Sequence, residues 1–177
     1  MNELELIICL FPIVFMFHEF EEIIGFKRWF SKNGSWLEKE FPKLARQITH
    51  LKQLSVPAFT IAVLEEFIII SALSVLALFS QVYYFWITAF TVFAFHILLH
   101  IIQWVMIRKY IPVVITSLLS IPYVAWGLNL IFTEFSLKII TICFIIGFPI
   151  AALNLFFIHK LALRYDKKQN HENSSID

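Results

Sequence analysis

Five apolar runs, at approximately 4–26, 56–80, 83–107, 112–133 and 138–160, leave this chain few ways to fold. Each reaches the ~20 residues that carry an α-helix across ~30 Å of hydrocarbon. In that medium every backbone N–H and C=O needs a partner within the protein, and runs of this length meet the need as helices. Hydrophobic residues make up 59% of the 177 residues against 15% charged. Mean hydropathy is +0.78, well outside the range of a soluble globular domain. The sequence therefore predicts an all-α polytopic membrane protein with five transmembrane helices and short interfacial amphipathic helices. A single transmembrane domain is expected over 1–160, followed by a polar, disordered cytoplasmic tail over 161–177. The first run has no basic flank (MNELE) and no small-x-small cleavage site after it, so it reads as a span rather than a leader.

Charge placement supplies an orientation. Alternating five spans puts 13 Lys and Arg on one side, in the 27–55 connection, at Arg108 and Lys109, and in the tail, with only Lys138 opposite. The positive-inside rule then predicts a cell-membrane protein with its N-terminus outside and its C-terminus cytoplasmic. A net charge of +1 gives no case for nucleic acid. Within the 27–55 connection, Ser35 and Glu38 have capping-box spacing after the turn residues Asn33 and Gly34. Leu44, Ile48, Leu51 and Val56 recur at helical spacing beyond Pro42, with Lys43, Arg46 and Lys52 on other faces. Two short helices on the inner surface are expected over 29–55, with Trp29, Phe30 and Trp36 at headgroup level. The alternative is a lid over a buried polar site. Pro57 and Pro112 suit first helical turns, while Pro122 and Pro149 fall inside their spans. Cys9 and Cys143 lie in apolar runs without CxxC spacing and read as hydrophobes rather than a disulfide.

Seven ionisable residues interrupt the apolar runs: His18, Glu21 and Glu22 in FHEFEEII, Glu65 and Glu66 in VLEEFIII, and His96 and His100 in FHILLHII. A charge at the bilayer centre costs roughly 2.5–3.5 kcal/mol on insertion scales. Such groups must be paired, neutralised or bound to a metal. His18, Glu21 and Glu22 stand at i, i+3 and i+4, and His96, His100 and Gln103 at i, i+4 and i+7, so each set shares one helical face. Glu19 lies ~100° round the first helix and is expected off that face; Glu65 and Glu66 diverge by the same angle, so only one is expected to point inward. At 1.5 Å per residue, all three helices bring these groups to about 12–14 Å from the cytoplasmic boundary.

Imidazole with carboxylate suits zinc or iron, and a His pair at i, i+4 can grip one ion. Up to four carboxylates and three imidazoles could hold two ions with bridging carboxylates. The sequence leaves two other readings open. A buried Glu could serve as acid or base with a His partner and no metal, or the groups could simply hydrogen-bond across the bundle. Asn154 could reach the cluster or bond a neighbouring helix, and Asn129 is a weaker candidate. His159 reads as interfacial, and His50 and His171 as solvated. The chain carries no Ser-His-Asp set, Gly-rich phosphate loop or haem signature.

The pattern HEFEE at 18–22, early in a small multi-span chain, resembles the motif of the HXXEE family of small bacterial integral membrane proteins. The later Glu pair and the His-containing third run extend the likeness over about 10–155. The resemblance implies an all-helical membrane domain with His18, Glu21 and Glu22 as its signature, and it supplies no reaction. A looser likeness is to CAAX-processing intramembrane proteases, whose EExxxR and FxxxH patterns are not met by EEIIGFKR and Val92. Sterol-isomerase-like membrane proteins also place His and Glu in a small helical bundle, which keeps a metal-free isomerase in view.

The preferred expectation is a metal site of His18, Glu22, Glu65, His96 and His100 holding one or two divalent zinc or iron ions, with Glu21 and Glu66 as catalytic groups. The expected activity is hydrolysis of a lipid or other apolar small molecule reached from the membrane. Glu22 and His100 should be needed, while Glu19 and His159 should tolerate Ala. A transporter or ion-handling protein is the rival class. It would need polar residues continuing to the outer face, where these spans are almost wholly apolar.

Overall fold

The computed structural model describes the backbone of residues 1–174 and the side chains of residues 1–166 apart from His50. Every regular element among these residues is helical. They are α1 (Glu3–Glu40), a 3-10 turn (Pro42–Leu44), α2 (Ala45–Gln53), α3 (Val56–Ser80), α4 (Tyr84–Ile107), α5 (Val114–Glu134) and α6 (Leu137–Ser174). Four helical segments, α3, α4, α5 and Leu137–Asp166 of α6, are long and apolar enough to cross a membrane. The expectation was five. α1 has the length, but Glu19, Glu21 and Glu22 fall within its apolar run. It is nonetheless part of the bundle, whose neighbours run α1, α3, α6, α4, α5 and back to α1, with α3 also touching α4 across the ring.

The 27–55 connection is the main correction to the sequence reading. α1 does not stop near residue 26 but continues to Glu40, so Ser35 and Glu38 cap nothing. Gly34 serves packing instead of a turn: a Cβ there would stand 2.8 Å from Lys52 Cδ. Glu38 accepts hydrogen bonds from Thr49 at 3.0 Å and Lys52 at 3.1 Å, tying α2 to the end of α1. These bonds hold the Glu38 carboxyl below its ordinary range. One of the two expected amphipathic helices therefore forms, as α2, with Ile48 buried. The capping box that does form is Asn2 with Glu5 at the start of α1.

The later boundaries lie closer to expectation. Ser55 caps α3 and Pro57 sits in its first turn, whereas α5 begins at Val114, just after Pro112. Pro122 and Pro149 lie inside α5 and α6. α6 runs past the predicted end at 160 to Ser174. Residues 175–177 of the predicted tail lie outside the described residues, as do the side chains of His50 and His171. Cys9 and Cys143 are both free thiols.

One end of the bundle gathers the basic connections. There Trp29 Nε1 donates to Tyr110 O at 2.7 Å, Lys27 Nζ donates to Lys52 O at 2.9 Å, and Lys109 stands 3.5 Å over the Trp36 ring. Asp166 accepts the Ser55 N–H at 2.9 Å and also the Ser55 hydroxyl, which joins α6 to the start of α3. At the other end Tyr123 Oη donates to Ile7 O at 2.8 Å. Between the ends lies an aromatic layer of Phe11, Phe15, Trp86, Phe90 and Phe93, all buried. Phe11 meets Phe90 and Phe93 with ring centroids 5.4 Å apart. Such pairs contribute ~0.5–1.5 kcal/mol each beyond the area they bury. Gly127 lets α5 close on this layer, since a Cβ there would sit 2.2 Å from Phe90 Cζ.

Candidate metal centre

The bundle brings three imidazoles to one point. His18 comes from α1, and His96 and His100 stand one turn apart on α4. His96 Nε2 lies 3.3 Å from His18 Nε2 and 2.9 Å from His100 Nε2. His18 is wholly buried and His100 nearly so. The other ring nitrogens turn outward: His100 Nδ1 lies 3.0 Å from Gln103 Oε1, and His18 Nδ1 3.2 Å from Thr116 Oγ1. With the Gln103 oxygen facing it, the contact is favourable only when His100 carries its proton on Nδ1, which leaves a lone pair on Nε2. Phe15 and Phe93 of the aromatic layer cover the far side, with Phe93 centred 6.0 Å from the His18 ring.

Carboxylates meet the same point. Glu19 Oε1 lies 3.7 Å from His96 Nε2, and Glu19, Glu22 and His96 offer ligand atoms that all fall within 4.8 Å of one another. His18, His96 and His100 satisfy the same condition, so the two triads share His96 and either could hold a metal ion. Glu66 is near enough to Glu19 and Glu22 for their charges to interact. Glu65, expected as a ligand, turns to α6 and accepts from Asn154 Nδ2 at 3.0 Å. Asn154 thereby bonds a neighbouring helix through a residue of the expected cluster.

Glu21 is engaged elsewhere. Its Oε2 accepts the Thr116 N–H at 2.8 Å and the Thr116 hydroxyl at 2.7 Å, and its Oε1 accepts from Tyr110 Oη at 2.8 Å. Val113 offers α5 no side-chain cap, so Glu21 acts as one from another helix, where a negative charge suits the dipole. Burial and the Glu21 carboxylate push the Tyr110 phenol up to about 12, so its hydroxyl keeps its proton and donates.

A pocket of about 380 Å³ reaches this cluster from the basic end of the bundle. Phe26, Trp29, Phe30, Ile48 and Met106 contribute to its apolar walls, and Glu22, His100 and Gln103 are its inner polar groups.

Sequence reasoning misplaced Glu19 and missed Thr116 and Tyr110. Glu19 is 3% exposed because α1 touches α3, α4 and α5 and buries more than one stripe of its surface. The available signal was thermodynamic: a carboxylate at that depth is too costly to leave facing lipid, whatever its helical angle. Thr116 carried a weaker signal, a hydroxyl in the first turn of an otherwise apolar helix. His159 is half-buried and Asn129 exposed.

Comparison with known proteins yields no match among curated proteins and none among solved structures. The family model described as a protein of unknown function with an HXXEE motif matches residues 9–127, which contain the three imidazoles, Glu21 and the side chains bonded to them, together with the motif itself at His18, Glu21 and Glu22; the chain belongs to the HXXEE family.

Proposed function

We propose that this protein is a metal-dependent membrane enzyme, a hydrolase of lipids or other apolar molecules, whose zinc or iron ion is held by His18, His96 and His100. The observation that carries this reading is the spacing of the ring nitrogens, 2.9 and 3.3 Å. Two nitrogens 2.0–2.1 Å from a tetrahedral ion stand about 3.3 Å apart. Hydrogen bonding accounts for the cluster less well, because a neutral His96 has one proton to offer at Nε2 and two nitrogens beside it. Glu19 stands behind His96 at 3.7 Å, where its charge would offset part of that of the ion.

A bound divalent ion would supply an activated water by lowering its pKa towards ~7. Glu22 lies on the pocket wall beside His100, where it can take a proton from that water, and Glu66 backs it. The apolar walls select a substrate that leaves water readily. The same donor set would bind oxygen if the ion is iron, but no redox cofactor motif accompanies it. The transporter reading is disfavoured by Phe11, Phe15, Phe90 and Phe93, which close the outward side of the cluster.

α1 is taken as a fifth span, with the N-terminus outside and the C-terminus cytoplasmic. Two observations support this: Glu19 is buried beside His96 and Glu21 is bonded to Thr116 rather than turned to lipid, and the basic connections share one end. The test is metal content of detergent-purified protein by mass spectrometry, with His96→Ala beside it. About one zinc or iron per chain, lost in the variant, is expected. Protein purified without chelator that is metal-free and unchanged in melting on metal addition would refute the reading and leave a Glu22–His100 acid–base site.

A further inference from the structure

Thr116 Oγ1 has three acceptors within reach: Glu21 Oε2 at 2.7 Å, His18 O at 3.3 Å and Val113 O at 3.4 Å. A hydroxyl has one proton. The carboxylate is both the nearest acceptor and the strongest, since charge-assisted bonds are about twice as strong as neutral ones. With its proton directed to Glu21, the Thr116 oxygen faces His18 Nδ1 at 3.2 Å as an acceptor only. The contact is favourable only if His18 is protonated at Nδ1. The lone pair then falls on Nε2, the nitrogen turned to His96. Among the described residues the His18 ring hydrogen-bonds only to Thr116 at Nδ1 and His96 at Nε2, so the charge-assisted Glu21–Thr116 bond is weighed against a single neutral contact.

We propose that Glu21 is a positioning residue: acting through the Thr116 hydroxyl, it holds His18 as the Nδ1–H tautomer and so presents Nε2 as a ligand to a divalent metal ion. The consequence for metal binding rests on the reading of the preceding subsection, whereas the tautomer stands apart from it. The two Glu residues of the motif then divide the work. Glu22 faces the pocket, while Glu21 acts on the ligand from behind and caps α5 at the same time. Metal-binding histidines are commonly held in this way by a hydrogen bond at the second ring nitrogen. The intervening hydroxyl makes the arrangement sensitive to a single atom.

The experiment uses full-length protein in detergent, labelled with ¹⁵N-histidine, with the His18 signals assigned by their loss in His18→Asn. In metal-free wild type, His18 is expected to show a protonated Nδ1 and an unprotonated Nε2. Thr116→Val keeps the shape but removes the hydroxyl, and should lose this preference; Thr116→Ser should restore it. Cobalt(II) titration, read from its visible bands, should show affinity falling roughly 10–100-fold in Thr116→Val and recovering in Thr116→Ser. Glu21→Ala frees the Thr116 proton and should move His18 toward the Nε2–H form. A wild-type His18 protonated at Nε2, or a Thr116→Val protein with wild-type tautomer and cobalt affinity, would overturn the proposal. Wild type with the expected tautomer but no cobalt binding would sink the metal reading instead and leave the Glu21–Thr116–His18 assignment standing.

Discussion

His96→Ala tests the metal centre most directly, because His96 Nε2 is the atom both other imidazoles touch. Removing it leaves His18 and His100 without the nitrogen between them, and detaches the shell from Glu19. An ion present at 100 times its dissociation constant stabilises the folded state by ~2.7 kcal/mol. For a chain of this length each kcal/mol moves Tm by roughly 2–4 °C, so wild type should melt about 5–10 °C higher with zinc than with chelator. If the variant binds ~100-fold more weakly, the same zinc concentration yields only ~0.4 kcal/mol. The zinc-dependent shift should then fall below about 2 °C. The assay is thermal melting in one detergent, each protein measured with excess chelator and with buffered zinc. A wild type whose Tm ignores zinc, or a variant that retains the full shift, would refute the argument from nitrogen spacing.

Three further outcomes are expected. Glu19→Ala should weaken cobalt binding by roughly 10–100-fold, the range lost when a supporting group is removed, while His159→Ala should leave it within twofold; equal affinities in the two variants would remove Glu19 from the shell. Gly127→Ala puts a Cβ 2.2 Å from Phe90 Cζ, and Phe90 is held between Phe11 and Trp86. Overpacking of this kind costs ~1–3 kcal/mol, so Tm should drop by roughly 2–12 °C; an unchanged Tm would mean that α4 and α5 do not meet there. Reporter fusions after Asp177 and within the 27–55 connection should both read cytoplasmic, and an external signal from either would break the alternation of five spans.

What the sequence made legible was what periodicity and cost determine. α3 spans the predicted 56–80, and α4 begins one residue after the predicted 83 and ends at the predicted 107, because Ser55, Pro57 and long apolar runs act locally. The i, i+4 spacing of His96 and His100 placed both on one face, and Gln103 three residues later does bond His100. The course of 27–40 was not legible, because Asn33, Gly34 and Ser35 look like a turn in isolation. In the folded chain Asn33 Nδ2 donates to Trp29 O at 3.0 Å, the side of Gly34 lies against the Lys52 stem, and Glu38 holds α2. The first bond is local to α1, but the contacts of Gly34 and Glu38 are tertiary contacts with α2, and they outweigh the local turn preference.

Helical angle also predicts less about the site than it first suggests. Counting from His18, Glu21 and Glu22 share its face and Glu19 does not, which made Glu21 a candidate for catalysis and Glu19 a bystander. α1 is not a surface helix with one buried stripe, however. It has neighbours on three sides, and residues on more than half of its circumference find protein rather than lipid. Which carboxylate reaches the imidazoles is then decided by which neighbour it faces. Glu19 comes within 3.7 Å of His96 on α4, Glu22 lines the pocket, and Glu21 meets the start of α5, where Thr116 presents an N–H and a hydroxyl together. The HEFEE segment thus directs three acidic side chains to three different surroundings within one turn and a half of helix. A carboxylate within a bilayer opposes insertion unless it is paired, neutralised or bound to a metal. That requirement connects the motif to the position of α1 among the apolar helices.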